Sequence, residues 1–548
     1  MLSASLVLLS VALSVSATDY LVAPSARLGK RGLTAEGNYN IKFAAAGTDC
    51  TAPEKGCYGG YARIKDTIDT LRPKTPDSLF LNIGDEFQGT LFYTYYKGEK
   101  IAETINQLGF DAMTLGNHEF DGGEDELGAF LKNLTFPVVC ANIITEQKTM
   151  NSTIKPYTLF EKHQLAVIGV TTDTTPDISS PAKSTKFLDP TTTVQQTIDY
   201  IKANEKNITR FVAITHIGYD VDQQLAKNTK GLHMIIGGHS HTLLGDMDGA
   251  EGKYPTIVQN LDGEDVFIVT SFRWGEYLGQ IEVSFAPDGK IVAYTGAPIH
   301  MINTTAQDTK LQAQIEGWEK PFEALAKEEV GTSETVLDQT KCKSAECVLG
   351  DVMCDAIKDY RKAADFAVIN GGGVRATIDQ GTVTRGEVMT AFPFGNVVVE
   401  VPLSGIFSQH SLFNDRAVIS GVQVSKELKI VWNPNNANGS RLISIDVNGA
   451  AIDKNKTYTV ATIDFVAKGG DNQFPAQDMG KLATLDAMDE VLVRYINASS
   501  PIKADIDGRI STSDAKGSSG GTGAAGALTV SGVLASSLVI VAAFALVL

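Results

Sequence analysis

Gly116-Asn117-His118-Glu119-Phe120-Asp121 and, further along, Gly237-Gly238-His239-Ser240-His241-Thr242 are the two stretches from which the rest of the chain can be read. The first follows the apolar run Phe110 to Leu115, the second follows His233 to Ile236, and both turn through glycine into carboxamide, imidazole or carboxylate side chains. Side chains of these types hold divalent cations against a phosphate ester. A lone Asn-His or His-Ser-His is more often a turn or a satisfied core histidine. Here the plan recurs in Asp77-Ser-Leu-Phe-Leu-Asn-Ile-Gly-Asp85 and in Phe211 to Thr215 before His216. Four strands that each end in ligand-type groups place a metal centre at the carboxyl ends of an open α/β sheet.

A two-metal phosphoesterase needs a bridging carboxylate, terminal ligands for each ion and a group that stabilises or protonates the leaving oxygen. Asp85 is the candidate bridge. Asn117, His216 and His239 complete one ion, and His241 reaches the other. His118 stands beside the ligand Asn117 but points elsewhere, suited to the phosphoryl oxygens or the leaving group, with Asp121 orienting its ring.

The length of 548 residues suggests two domains, and 43% hydrophobic residues suffice for both cores. A formal net charge of −17 argues against binding nucleic-acid polymers or anionic membrane surfaces through bulk electrostatics. Between residues 60 and 280, short apolar runs alternate with helical patterns, including further strands at Phe136 to Ala141 and Leu165 to Val170. Gln307 to Glu328 spaces Leu311, Ile315, Trp318 and Leu325 as a connecting helix. A second domain follows from Ser333 to Ile510, with strands near Phe366 to Ile369, Val397 to Val401, Lys429 to Trp432 and Tyr458 to Thr462. The expected class is α/β, α+β overall: residues 40–305, a linker helix over 306–332, and 333–510.

Both ends carry address signals. Residues 1–17 read as a cleaved secretory leader, although they lack an early Lys or Arg. Residues 511–526 form a Gly/Ser-rich spacer, and 527–548 an uncharged apolar tail that fits a GPI-attachment signal with the anchor within Ser513 to Gly520, a spanning helix being the alternative. Asn-x-Ser/Thr sequons at Asn133, Asn151, Asn207, Asn303, Asn438, Asn455 and Asn497 agree with an extracellular route to the cell surface. Cys50/Cys57 and Cys342/Cys347 read as two short disulfide loops, Cys140 and Cys354 as buried thiols.

Gly84-Asp85, Gly116 to Asp121, Thr215-His216 and Gly237 to Thr242 resemble the calcineurin-like metallophosphatase module, an αββα sandwich. Asn370-Gly-Gly-Gly-Val-Arg375, Pro393-Phe-Gly-Asn396 and Phe465-x-x-x-Gly-Gly-Asp471 resemble the C-terminal domain of the 5′-nucleotidase family, and the motif order matches over residues 40–510. The resemblance implies a hydrolase of nucleoside 5′-monophosphates with two divalent ions, zinc or alternatively manganese, and a C-terminal domain that holds the nucleoside and rotates to deliver the phosphate. It leaves a homodimer open. Carried over by motif, Asn370 and Arg375 contact the ribose and phosphate region, Phe394 and Phe465 sandwich the base, Asp471 accepts from the ribose hydroxyls, and Lys343 stands where the family often has a substrate-holding Arg. Nucleotide sugars and 2′,3′-cyclic nucleotides are alternative substrates of the same architecture.

One departure is sharp. Family members open with a strand ending in Asp-x-His, which supplies the first ion, yet no histidine precedes His118 here and Gly37 to Phe43 runs directly into Ala44-Ala-Ala-Gly-Thr-Asp-Cys50. The first ion keeps only Asp85 and His241, fewer ligands than a catalytic ion ordinarily has. The chain is then an active nucleotidase with that segment missing from this sequence, a one-metal phosphatase, or a catalytically impaired surface protein that binds nucleotides.

Overall fold

In the first half, two mixed sheets face each other. The computed structural model describes residues 16–22 and 58–513, except 76, 88–90, 274, 405–420, 438, 474, 480–481 and 483–484. One sheet runs Ile291–Thr295, Tyr277–Phe285, Ser16–Val22, Leu79–Asn82, Ala112–Met113, with Ile299–His300 also paired to Tyr277–Phe285. The other runs Thr256–Gln259, Asp265–Val269, Met234–Gly237, Arg210–His216, Leu165–Thr171, Tyr157–Phe160. Alternate residues explain the layers. Leu81, Val167, Val212, Ile214 and Val283 meet between the sheets, whereas Ala166, Ile168 and Ala213 turn outward onto Val194, Ile198 and Ile201 of helix Pro190–Asn204. Helices Tyr61–Leu71 and Gly98–Leu108 cover the opposite side through Ile64, Ile68, Ile101 and Ile105. The expected αββα sandwich results.

Strand Ser16–Val22 lies parallel to Leu79–Asn82, with Tyr20 opposite Leu79 and Val22 opposite Leu81, and antiparallel to Tyr277–Phe285. The run Gly37 to Phe43, the Cys50/Cys57 loop, the Gly/Ser spacer beyond Ser513 and the apolar tail lie outside the described residues. So does the leader, apart from Ser16 and Ala17, which open this strand. The expected strand at Phe136–Ala141 does not form. Pro137 has no N–H to give a ladder, and only isolated bridges, Met113 with Val138 and Val139 with Lys155, remain.

The connecting helix is Thr309–Ala326, capped by Asp308, whose side chain accepts from Leu311 N at 2.7 Å. Leu311, Ile315 and Phe322 are buried against the first half, with Trp318 packed beside them. Leu325, expected on this face, is 47% exposed; Phe322, three residues earlier, occupies the apolar stripe instead. Beyond it, one sheet runs Val398–Ser404, Thr457–Ile463, Phe366–Asn370, Val422–Val424 and another Ala450–Ala451, Leu442–Val447, Leu428–Trp432, Ile510–Thr512. Helices Val348–Tyr360 and Met488–Ser499 share their core. Cys342 and Cys347 form a disulfide, and Cys140 and Cys354 are buried thiols. Among the described residues no helix is long and apolar enough to cross a membrane.

His233, at the head of strand Met234–Gly237, is 4% exposed, and its Nδ1 accepts from Phe211 N at 3.1 Å. Burial holds the imidazole down at about 4. Folding thus favours the neutral ring, so this contribution is complete above the ordinary histidine value of ~6.5 and is lost as pH falls towards 4. Denaturant unfolding should show a loss of up to about 3 kcal/mol across that window, reduced in His233→Asn; an identical slope in the variant would rule out this ring as the cause.

Candidate functional site

The loops after strands Leu79–Asn82 and Ala112–Met113 touch, and glycine permits it. Gly84 has φ +84°, and a Cβ there would stand 2.1 Å from Gly116 N; a Cβ on Gly116 would stand 2.2 Å from Asp85 Oδ1. Asp85 is fully buried. Its Oδ1 accepts from His118 N at 2.9 Å, and its Oδ2 lies 3.0 Å from His216 Nε2. His216 Nδ1 is 2.8 Å from Ile83 O, so the ring donates there and presents a lone pair at Nε2.

A carboxylate oxygen and an imidazole lone pair at 3.0 Å repel unless a cation or proton lies between them. Ligand atoms of Asp85, His216 and His239 lie within 4.8 Å of one another. Buried Asn117 Oδ1 has no hydrogen-bond partner among the described residues, and the His216 and His239 rings are 5.1 Å apart. This donor set, one carboxylate, one amide oxygen and two imidazoles, fits a divalent transition-metal ion. His241, half-buried two residues further on, falls outside the tight group. Asp85, His239 and His241 all have left-handed backbones, with φ of 61°, 77° and 60°.

Spacing assigns no role to Glu119, although it stands inside the Asn-His-Glu motif. Fully buried, it accepts from Gly116 N at 2.5 Å, Asp85 N at 2.8 Å, Phe87 N at 3.3 Å and also from Glu86 N. It therefore ties both ligand loops together. Burial, reinforced by the charge of Asp85, pushes its carboxyl up to about 7. Burial likewise pushes Glu86 well above the ordinary range, although Tyr61 Oη at 2.5 Å and Asn82 Nδ2 at 2.6 Å donate to it.

His118 Nδ1 lies 2.5 Å from Asp121 Oδ2, and Asp121 Oδ1 accepts from Ser179 Oγ at 2.5 Å. Across the seam, Arg375 Nη2 is 3.4 Å from His118 Nε2, and the Arg375 guanidinium stands 5.3 Å from the Phe394 ring centroid. Phe394 in turn stacks 5.9 Å from the His118 ring. Asn370 Nδ2 donates to Asp471 Oδ2 at 2.8 Å. Gly470 gives Phe465 its place, since a Cβ there would meet the ring at 2.4 Å.

A cavity of about 260 Å³ joins these groups. Its wall includes Asn117, His118, Asp121 and His239 from the first half and Lys343, Asn370, Arg375, Phe394, Phe465 and Asp471 from the second. Asp85, His216 and His241 are not on that wall. Ile178, Ser179, Ser180 and Asn396 line it too. Of these, only Asn396 belongs to a motif visible in the sequence; the other three come from the end of the short helix Thr175–Ile178 and just beyond it, which no spacing signal marks.

Residues 46–243 match the family model described as calcineurin-like phosphoesterase, and 329–478 match that of the 5′-nucleotidase C-terminal domain. Over 493 residues the chain is 31% identical to a 5′-nucleotidase of Bos taurus, spanning 83% of this chain and 85% of that one. The chain belongs to the 5′-nucleotidase family. It is also 30% identical over 494 residues to an apyrase of Tabanus yao, covering 84% of this chain and 89% of the relative. A 5′-nucleotidase precursor from Thermus thermophilus shares its architecture with a TM-score of 0.81 at 29% identity, over 92% of this chain and all of that one.

Within this family member the phosphoesterase match begins at residue 46, after strand Ser16–Val22. That strand occupies an interior place in the sheet, beside the strand that leads to Asp85, and ends in Tyr20-Leu21-Val22 without Asp-x-His. Residues 37–47, where the sequence lacks the family's Asp-x-His, lie outside the described residues.

Proposed function

We propose that this chain hydrolyses the phosphate ester of nucleoside 5′-monophosphates at the cell exterior. The observation that carries this reading is the single cavity walled by metal-type ligands on one side and by Phe394, Phe465, Arg375 and Asp471 on the other. Asp85, Asn117, His216 and His239 would hold one divalent ion, zinc or manganese, and His241 with Asp85 would contribute to a second. Such ions, when bound, would supply Lewis-acid polarisation of phosphoryl oxygens and ease deprotonation of an attacking water at neutral pH. Asp121 fixes the His118 proton on Nδ1, which leaves Nε2 facing Arg375 and the cavity, placed to exchange a proton with the leaving 5′-oxygen. Arg375 and Lys343 offset phosphate charge, Lys343 without the bidentate fork of an arginine. Asn370 and Asp471 form the polar pair for the ribose, and the two phenylalanine rings take the base.

Stacking on an aromatic ring contributes about 1–3 kcal/mol per base. Phe465→Ala should therefore weaken AMP binding roughly 5- to 150-fold, measured by equilibrium titration; unchanged affinity would remove Phe465 from the base site.

Exposure of Asn133, Asn151, Asn207, Asn303, Asn455 and Asn497 supports glycosylation and a secreted, GPI-anchored protein. The deciding experiment is phosphate release from AMP by the purified chain with zinc or manganese, beside AMP binding. Release above a His118→Ala background supports the reading. Binding without release favours the second reading, a nucleotide-binding surface protein, for which the lack of an Asp-x-His ahead of His118 speaks. The apyrase relative and the nucleotide-sugar and cyclic-nucleotide alternatives make ADP, UDP-sugars and 2′,3′-cyclic AMP the comparison substrates.

A further inference from the structure

A second group of ligand-type side chains lies in the C-terminal half, formed by different residues. Carboxylate oxygens of Glu346, Asp351 and Asp507 lie within 4.8 Å of one another. Asp351, in the first turn of helix Val348–Tyr360, is 2% exposed, and neither of its oxygens has a hydrogen-bond partner among the described residues. The cation beside it among the described residues is Arg509, whose Nε is 3.9 Å from Asp351 Oδ1. That guanidinium is committed elsewhere: Nη1 and Nη2 each bind Asp355 at 2.9 Å, and Nε reaches Asp507 at 3.0 and 3.1 Å. Three carboxylates, Asp351, Asp355 and Asp507, thus share one guanidinium at a mostly buried place. Burial pushes the Asp351 carboxyl up to about 8, the mark of a charge lacking compensation.

We propose that Glu346, Asp351 and Asp507 bind a calcium ion. All donors are oxygens, which selects a hard cation over zinc, and three carboxylates completed by water suit the loose coordination of calcium better than the strict octahedron of magnesium. Asp507, with its side chain half exposed, opens the site to solvent. The ion fastens two distant segments. Glu346 lies inside the Cys342–Cys347 loop that carries the cavity residue Lys343, and its carboxylate accepts from Asp507 N, Gly508 N and Ile510 N at 3.0, 2.9 and 2.8 Å, where the final strand Ile510–Thr512 begins. Calcium there would tie the substrate-facing loop to the end of the fold.

The test is calcium uptake and thermal unfolding of the full chain purified with zinc, comparing wild type with Asp351→Asn and Asp507→Asn. Wild type should retain one more equivalent of calcium than either variant and gain on the order of 2–4 °C or more at saturating calcium. Asp507→Asn, at a half-exposed position, should fold normally and lose the gain. Asp351→Asn, which keeps the volume and one oxygen of the side chain, should fold normally without calcium and should also lose the gain. Absence of uptake by wild type, or equal uptake and equal gain in all three proteins, overturns the proposal.

Discussion

His118→Ala should lower phosphate release from AMP by about 10²- to 10⁴-fold, the usual worth of a placed general acid or base, while AMP affinity and bound metal stay close to wild type. The geometry separates these effects. The imidazole is not part of the Asp85, His216, His239 group, and what His118 gives that group is its backbone N–H to Asp85 Oδ1, which alanine retains. The lost element is a ring whose Nδ1 is held by Asp121 and whose Nε2 faces Arg375. Turnover should therefore fall with little change in KM. A variant within about tenfold of wild-type turnover would show that His118 carries no proton in the rate-limiting step.

The largest structural effect is expected from Glu119→Ala. Its carboxylate serves the backbone N–H groups of Gly116, Asp85, Glu86 and Phe87. An alanine would strand four buried donors, each costing about 1–3 kcal/mol when left unmet. Allowing for relaxation and for water entering the space, a loss of roughly 4 kcal/mol or more is expected in urea unfolding. Because the same N–H groups shape both ligand loops, divalent-ion affinity should drop about 10- to 100-fold. Glu119→Gln, which keeps an acceptor oxygen and the volume, should lose less of both. A stability loss under about 1 kcal/mol for the alanine variant would mean that the loops hold their shape without it.

Much of this site was legible because its chemistry is local. Gly-Asp, Gly-Asn-His and Gly-His-Ser-His each follow a buried strand directly, and a strand fixes where its next residue points. What stayed hidden depends on packing across distance. Glu119 reads as one more polar residue in a motif until the fold brings Asp85 N and Phe87 N to its carboxylate. Ser179 gains meaning only when helix Thr175–Ile178 sets it against Asp121. In the connecting helix, Leu325 and Phe322 are three residues apart and both apolar, so helical spacing alone chose the wrong one. Pro137 is the opposite case, since its missing N–H was visible and outweighed the apolar run around it. Ser16 and Ala17 read as the end of a leader because the small residues that open this strand also suit the close of an export signal.

The left-handed backbones at Asp85, His239 and His241 have an evolutionary corollary. Glycine adopts that conformation freely, whereas a side-chain-bearing residue gives up about 1–2 kcal/mol. A population selected for durability alone would drift towards glycine at all three positions and become sturdier as it went. That a carboxylate and two imidazoles stand there instead is the imprint of a requirement other than folding, one that can be read from the torsion angles of a single chain.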